Sequence, residues 1–278
     1  MPQPRPIDVK HLGREHVICC WQVGDVLIDP GPGSTLDALL AALGDTVPKA
    51  LLLTHIHLDH AGASGALAER FPDLQVYVHE VGAPHMADPS RLLNSAGRLY
   101  GDDMDRLWGE TLPVPEDRIH ALQGGEEIFG FRVVYTPGHA WHHVTYRQLD
   151  GDWAFTGDVA GVRIEPTELV IAPTPPPEID VERWRASIDE VEGLGAAHLG
   201  LTHFGAVHDV PEHLARLRHI LGREAELARD NDQDGFVAAL GEELRRQAPD
   251  DAPAYIQAAP LDQLWQGLDR YWRKRQAA

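Results

Sequence analysis

The stretch that most constrains this chain is His55-Ile56-His57-Leu58-Asp59-His60, placed directly after the apolar run Leu51-Leu52-Leu53 and Thr54. Three imidazoles and a carboxylate packed this tightly are costly to hold together away from water unless a cation joins them. The apolar run predicts a short buried strand. Because side chains alternate along extended chain, a strand end can point His55 and His57 the same way. Asp59 and His60 then fall on the turn into the next helix, near its N-terminus. Neutral imidazole and carboxylate suit zinc, and also manganese or iron.

A metal held this way needs donors from elsewhere, and three other segments repeat the arrangement of apolar run, loop and donor. VVYTPGHA ends a strand at Thr136 and presents His139. WAFTGDVAG ends one at Thr156 and presents Asp158, and LGLTHFG ends one at Thr202 and presents His203. Each is flanked by glycine, which permits close backbone approach. Taken singly, His203 reads as a capped strand end and Asp158 as a turn residue. Together the segments offer five histidines and two aspartates, enough for two metals.

The surrounding pattern is strand alternating with helix, an α/β chain. HVICCWQV and DVLIDPG predict a hairpin with its turn at Gly24-Asp25. Ser34 is placed to cap a helix running to about Leu43. Short strands are expected at 49–53 and 75–79, with helix at 65–70. Between about 88 and 115 the apolar spacing turns helical, broken at Gly101-Asp102-Asp103. Strands resume at 127–128, 131–136, 143–149 and 153–156, then a helix at 180–194 and a strand at 198–202. Beyond Pro211 the chain becomes charged and helical, with stripes at Leu214, Leu217 and Leu221 and again from Leu261 to Trp272. The division read from this is 1–210 as one α/β domain with a helical insertion near 88–115, and 211–278 as a helical extension. Its apolar stripes must pack on the domain or on a second copy, so a homodimer stays open.

Composition narrows the partners. The formal net charge of −19 argues against a nucleic-acid surface, which needs a basic stripe. No run of about 18 apolar residues is present, so no membrane span is expected, and the amino terminus lacks the pattern of a signal peptide. Cys19 and Cys20 are adjacent, which places them on opposite faces of a strand rather than in a bridge and fits a reducing cytoplasm.

HIHLDH, TPGHA, TGD and the late THFG, in this order and spacing, resemble the metallo-β-lactamase superfamily over roughly residues 15–210. The resemblance implies an αββα sandwich with metals at one edge. It implies that His55, His57 and His139 hold a first metal, that Asp59, His60 and His203 hold a second, and that Asp158 bridges them. A bridging aspartate points to the glyoxalase II, lactonase and phosphodiesterase side of the family. Two divalent ions, zinc foremost, about 3.5–4 Å apart can share one water and lower its pKa toward 7. The resulting metal-bridged hydroxide would attack a carbonyl or phosphoryl centre, with Asp59 orienting it or shuttling its proton. Asp29, in LIDPG, resembles the family's buried aspartate behind the ligands; read alone, it is a turn residue before Pro30-Gly31. His143 matches a second histidine of the family's TPGHxxGH pattern, and the glycine before it is His142 here.

The substrate is defined more by exclusions. The lactonase tyrosine three residues after the bridging aspartate is Gly161, and the glutathione clamp of glyoxalase II does not map onto the later chain. Tyr100, Trp108 and Trp141 are candidates for a pocket wall or for plain core. The reading is a metal-dependent hydrolase of a small ester, thioester or phosphodiester. The alternative is a persulfide dioxygenase-like oxidoreductase with one iron held by two histidines and an aspartate. Asp230, Asp232, Asp234 and Gly235 begin like a calcium loop, but its twelfth position is Gly241, so a capped turn between helices is expected instead.

Overall fold

The computed structural model describes residues 2–277; Met1 and Ala278, the outermost residues of the two expected segments, lie outside it. The described residues form two compact units, one of residues 2–135 and 142–151, the other of 136–141 and 152–277.

The first unit contains β1 (Arg5–Asp8), β2 (Cys19–Val23), β3 (Val26–Ile28), α1 (Leu36–Leu43), β4 (Ala50–Leu52), α2 (Leu58–Ala61), α3 (Ser64–Arg70), β5 (Gln75–His79), α4 (Ala83–Ala87), α5 (Ser90–Tyr100), α6 (Met104–Trp108), β6 (Ile119–Leu122), β7 (Glu127–Ile128), β8 (Phe131–Tyr135) and β9 (Val144–Gln148). The second contains β10 (Trp153–Phe155), α7 (Val181–Gly193), β11 (His198–Leu201), β12 (Gly205–Val207), α8 (Val210–Asp230), α9 (Gln233–Gln247), α10 (Ala252–Ala258) and α11 (Leu261–Gln276). Two mixed six-stranded sheets result, ordered β1-β2-β3-β4-β5-β6 and β12-β11-β10-β9-β8-β7.

The centre of the first sheet is parallel. Leu27 of β3 sits beside Leu51 of β4, and Leu51 beside Val76 of β5. Strands buried on both faces read as continuous apolar runs, which is why β3 and β4 lack alternation. Parallel strands also end at one edge, where α/β sheets gather their functional loops. Asp29 follows β3 and His55 follows β4 at that edge. In the second unit β10 and β11 are likewise parallel, and the turns after them carry Asp158 and His203.

One local expectation meets a different outcome. Ser34 does not cap α1. It lies in a 3-10 turn over Gly33–Thr35, and its hydroxyl donates to the Leu107 carbonyl at 2.7 Å. The same carbonyl lies 2.8 Å from Nε2 of His11, whose ring stacks on Trp108 with centroids 5.4 Å apart. Trp108 is therefore buried packing, with Tyr100 edge-on against it at 5.0 Å. Backbone meets backbone around this insertion. A Cβ on Gly33 would fall 2.2 Å from the Glu110 carbonyl oxygen, one on Gly65 2.0 Å from that of Leu112, and one on Gly109 2.5 Å from the Ser34 nitrogen. The calcium-like run is the capped turn expected of it: the Asp232 carboxylate accepts the Gly235 N–H at 2.9 Å at the start of α9.

Within the second unit, α8 packs on α7 and α11 on α8 and α9. Leu214, Leu217 and Leu221 of α8 and Leu264 and Leu268 of α11 are buried, at roughly 1.5–3 kcal/mol of transfer free energy per leucine before ordering costs.

Candidate metal centre

Asp29 organises the donors of the first unit. It is fully buried and sits at φ 49°, in the left-handed region, which aspartate tolerates better than most residues. Its carboxylate accepts the Thr54 N–H at 2.8 Å and the Thr54 hydroxyl at 2.7 Å. It also accepts from Nδ1 of His60 at 2.8 Å. Nδ1 of His60 is thus the protonated nitrogen, and Nε2 carries the lone pair a metal needs. The same logic reaches His55. The single hydroxyl proton of Thr54 is committed to Asp29, so at 3.1 Å from His55 the Thr54 oxygen accepts from Nδ1. Nε2 of His55 is left as a lone pair, 3.0 Å from Nδ1 of His57. One aspartate therefore sets the tautomers of two candidate ligands. Asp59 Oδ2 lies 3.8 Å from Nε2 of His60 and keeps 20% of its side chain exposed.

In the second unit, His139 donates from Nδ1 to the Pro173 carbonyl at 2.8 Å. Its ring meets Trp184 edge-on at 5.4 Å. Gly138 just before it has φ 134°, and a Cβ there would lie 2.3 Å from the Trp184 nitrogen. Only glycine lets α7 approach the loop this closely. Trp184 is fixed in turn by its indole N–H, which donates to the Val159 carbonyl at 2.8 Å. Asp158 then faces two imidazoles with different oxygens. Oδ2 lies 3.3 Å from Nε2 of His139, and Oδ1 lies 3.6 Å from Nε2 of His203.

Two donor groups result. The residues that could hold a metal are His55, His57, His139 and Asp158 in one group and Asp59, His60 and His203 in the other. Imidazole nitrogen with carboxylate oxygen is a donor set that fits zinc, manganese or iron. Only His57 and Asp59 of the seven are half-buried; the others are buried. Burying so many ionisable groups together is costly without a cation to pair them.

Two contributors escaped the sequence reading. Thr54 is a relay between Asp29 and His55; the recurring threonine at the strand ends before His139, Asp158 and His203 is the signal that could have marked it. His142, read as an altered wall position, is buried. Its ring lies parallel to that of His55 at 6.1 Å and edge-on to His57 at 5.7 Å. Its Nδ1 accepts the Ile56 N–H at 3.3 Å. Of the proposed aromatic wall, Trp141 alone is exposed, at 37%, with the Arg183 guanidinium 4.8 Å over its ring. Gly161 has φ 79°, and a Cβ there would lie 2.8 Å from the Ile171 carbonyl oxygen, so a tyrosine at this position is sterically refused.

The metallo-beta-lactamase superfamily model matches residues 24–203. The chain belongs to that superfamily and has its αββα fold, with α8–α11 as C-terminal helices. Its two His/Asp clusters are those typical of a binuclear site in this family. The chain is 30% identical over 256 residues to ST1585 of Sulfurisphaera tokodaii, a metallo-beta-lactamase fold-containing protein, covering 87% of this chain and 90% of that one. The crystal structure of ST1585 superposes with a TM-score of 0.71 at 26% identity, over 96% of this chain and 98% of its own. Hydroxyacylglutathione hydrolase of Xylella fastidiosa is 33% identical over 133 residues, 48% of this chain, and the match spans only 40% of that enzyme's length. TTHA1623, solved in a di-iron-bound form, superposes with a TM-score of 0.51 at 29% identity, over 69% of this chain and 85% of that one.

Proposed function

We propose that the chain is a binuclear metallo-hydrolase of small ester, thioester or phosphodiester substrates. The observation that carries the reading is Asp158, whose two oxygens address different histidines, His139 and His203. A carboxylate so placed is suited to bridge two cations. His55, His57 and His139 are assigned to the first metal, Asp59, His60 and His203 to the second, and Asp158 to both. Zinc is the assigned metal; the di-iron form of TTHA1623 makes iron the competitor to test. When bound, two such ions lower the pKa of a shared water and polarise the oxygen under attack.

The residues do the rest. Asp29 and Thr54 hold His60 and His55 in the ligating tautomer. Asp59, partly open to solvent, is placed to orient a nucleophilic water and pass its proton outward. The second donor group disfavours the mononuclear-iron oxidoreductase reading, which requires only one metal. All seven donors come from one chain, so a second copy is not needed to complete the centre. The net charge of −19 favours a small-molecule substrate over nucleic acid, and no helix among the described residues is long and apolar enough to cross a membrane. Two buried cysteines outside any disulfide favour a reducing, cytoplasmic location.

Selectivity follows from the wall. The glutathione clamp is not mapped onto the later chain, Gly161 admits no tyrosine, and Trp141 is exposed. Compact or partly apolar acyl groups are therefore favoured over a charged tripeptide. The test is a kinetic panel on metal-loaded protein: S-lactoylglutathione, an acyl-homoserine lactone, aryl esters and a bis-aryl phosphate, with His139→Ala as the control for contaminants. Turnover of the aryl probes is expected. A kcat/KM of about 10⁵ M⁻¹s⁻¹ or more, within the usual efficient range, for S-lactoylglutathione alone would sink this reading.

A further inference from the structure

The C-terminal helices carry none of the seven donors, yet one of them reaches the loop that holds a donor. Residues 172–178 read Ala-Pro-Thr-Pro-Pro-Pro-Glu, a stiff segment with few backbone donors of its own. Pro173 in this loop accepts the Nδ1–H of His139 at 2.8 Å. Glu178 at its other end accepts the Trp141 N–H at 3.0 Å. The loop thus grips the His139–Trp141 turn at both ends.

α11 grips the loop. The Thr174 hydroxyl donates to the Leu264 carbonyl at 3.1 Å. Gly267, in mid-helix, touches the loop backbone directly: a Cβ there would stand 2.0 Å from the Thr174 carbonyl oxygen. Arg270 and Lys274, one and two turns further on, both donate to the Pro177 carbonyl, at 3.2 and 3.1 Å. A glycine inside a helix costs about 1 kcal/mol relative to alanine, so its presence at this contact requires a compensating reason. The close approach supplies one.

We infer that α11 is part of the metal centre's support: it fixes the 172–178 loop through Thr174 and Gly267, and the loop fixes the tautomer and direction of His139 through the Pro173 carbonyl. Thr174 and Gly267 are positioning residues. The inference rests on the assignment of His139 as a ligand, and it gives the helical extension a role in metal binding in addition to packing. Partners of this kind behind a ligating histidine are worth about 10–100-fold in metal affinity.

The test uses the full chain, stripped with a chelator and titrated with zinc against a chromophoric competitor. A second readout is the ¹⁵N-detected Nδ1–H resonance of His139 in the stripped protein. Gly267→Ala and Thr174→Val are each expected to weaken the tighter zinc site about 10–100-fold and to broaden or shift the His139 resonance. Thr174→Ser, which keeps the hydroxyl, is expected to stay near wild type. Val133→Ala, which empties buried space in β8, is the control for general destabilisation and should leave zinc affinity unchanged. If Gly267→Ala does not fold, the two Thr174 variants decide alone. Wild-type zinc affinity with an unmoved His139 resonance in Thr174→Val overturns the inference, as does an equal loss in Val133→Ala. His139→Ala separates the two levels of the argument. If it titrates like wild type, the ligand assignment itself fails. If it loses zinc while the Thr174 and Gly267 variants do not, only the role of α11 fails.

Discussion

The Asp29 carboxylate and the His60 imidazole are both fully buried, and Oδ2 of the one lies 2.8 Å from Nδ1 of the other. The same carboxylate also takes both donors of Thr54. Replacing it leaves three buried groups without their acceptor, each at a cost of about 1–3 kcal/mol. Asp29→Ala should therefore lower the unfolding free energy by about 3 kcal/mol or more and weaken metal binding by about 10–100-fold. Chemical denaturation of stripped protein and zinc titration measure the two effects separately. A variant as stable and as tightly metallated as wild type would show that Asp29 is only a turn residue.

Asp158 sets a sharper expectation. Its two oxygens point at His139 and His203, so its removal leaves two cations repelling at short range with no anion between them. Asp158→Ala should lose metal from both groups and abolish turnover while the far-ultraviolet circular dichroism stays native. Elemental analysis per chain, on protein purified without chelator, reads the result. Full occupancy with a normal rate would defeat the bridging assignment.

The contrast between these two residues shows what was legible in the sequence. The donors could be read because metal ligation demands particular side chains at strand ends, and HIHLDH, TPGHA, TGD and THFG display them openly. Their supports could not. Thr54 and the Pro173 carbonyl act through hydrogen bonds that any threonine or any backbone can make. Gly267 reveals itself only when a residue 93 positions away, Thr174, is placed against it. β4 was legible from the apolar run it belongs to and β5 from Val76 and Val78 alternating with more polar neighbours, whereas β1, β6 and β12 are partly exposed and carry no such run. Ser34 misled for the same reason. A serine before a helical pattern is ordinarily a cap, but this one is claimed by the Leu107 carbonyl; of the two readings open for Trp108, its stack with His11 selects core packing.

His213 makes stability depend on acid. It is buried and donates from Nε2 to the Ala160 carbonyl at 2.8 Å, and burial pulls its pKa down from 6.5 to about 4. The folded state therefore binds this proton later than the unfolded chain does. Its contribution is complete above pH 6.5 and is lost as pH falls toward 4, by about 3 kcal/mol in all. Unfolding free energies of wild type and His213→Gln, compared from pH 7 to pH 4 on stripped protein, should converge or cross as pH falls. Parallel curves would mean that His213 is charged or solvated in the native state.

Glu224 has the opposite sign. It is fully buried in α8, and burial raises its carboxyl from 4.5 to about 8 despite the charge of neighbouring Arg223. Stability associated with the neutral acid is complete below pH 4.5 and lost as pH rises through 8, amounting to about 5 kcal/mol. Glu224→Gln should be more stable than wild type at pH 9, with the advantage shrinking toward pH 5. Thermal or urea unfolding at the two pH values checks it, and an advantage independent of pH would contradict the assignment.

The glycines around the insertion carry a consequence for ancestry. Where Gly33, Gly65 and Gly109 meet Glu110, Leu112 and Ser34, the contact is made by main chain on both sides. Side-chain interfaces drift, because a larger residue on one face can be answered by a smaller one on the other. Main chain offers no such exchange. Descendants of this protein are therefore free to rewrite the exposed faces of α5 and α6, or to lengthen the turn at Gly101, but every lineage that keeps the insertion seated must inherit these three glycines together, and one that loses a single glycine has to rebuild the whole attachment.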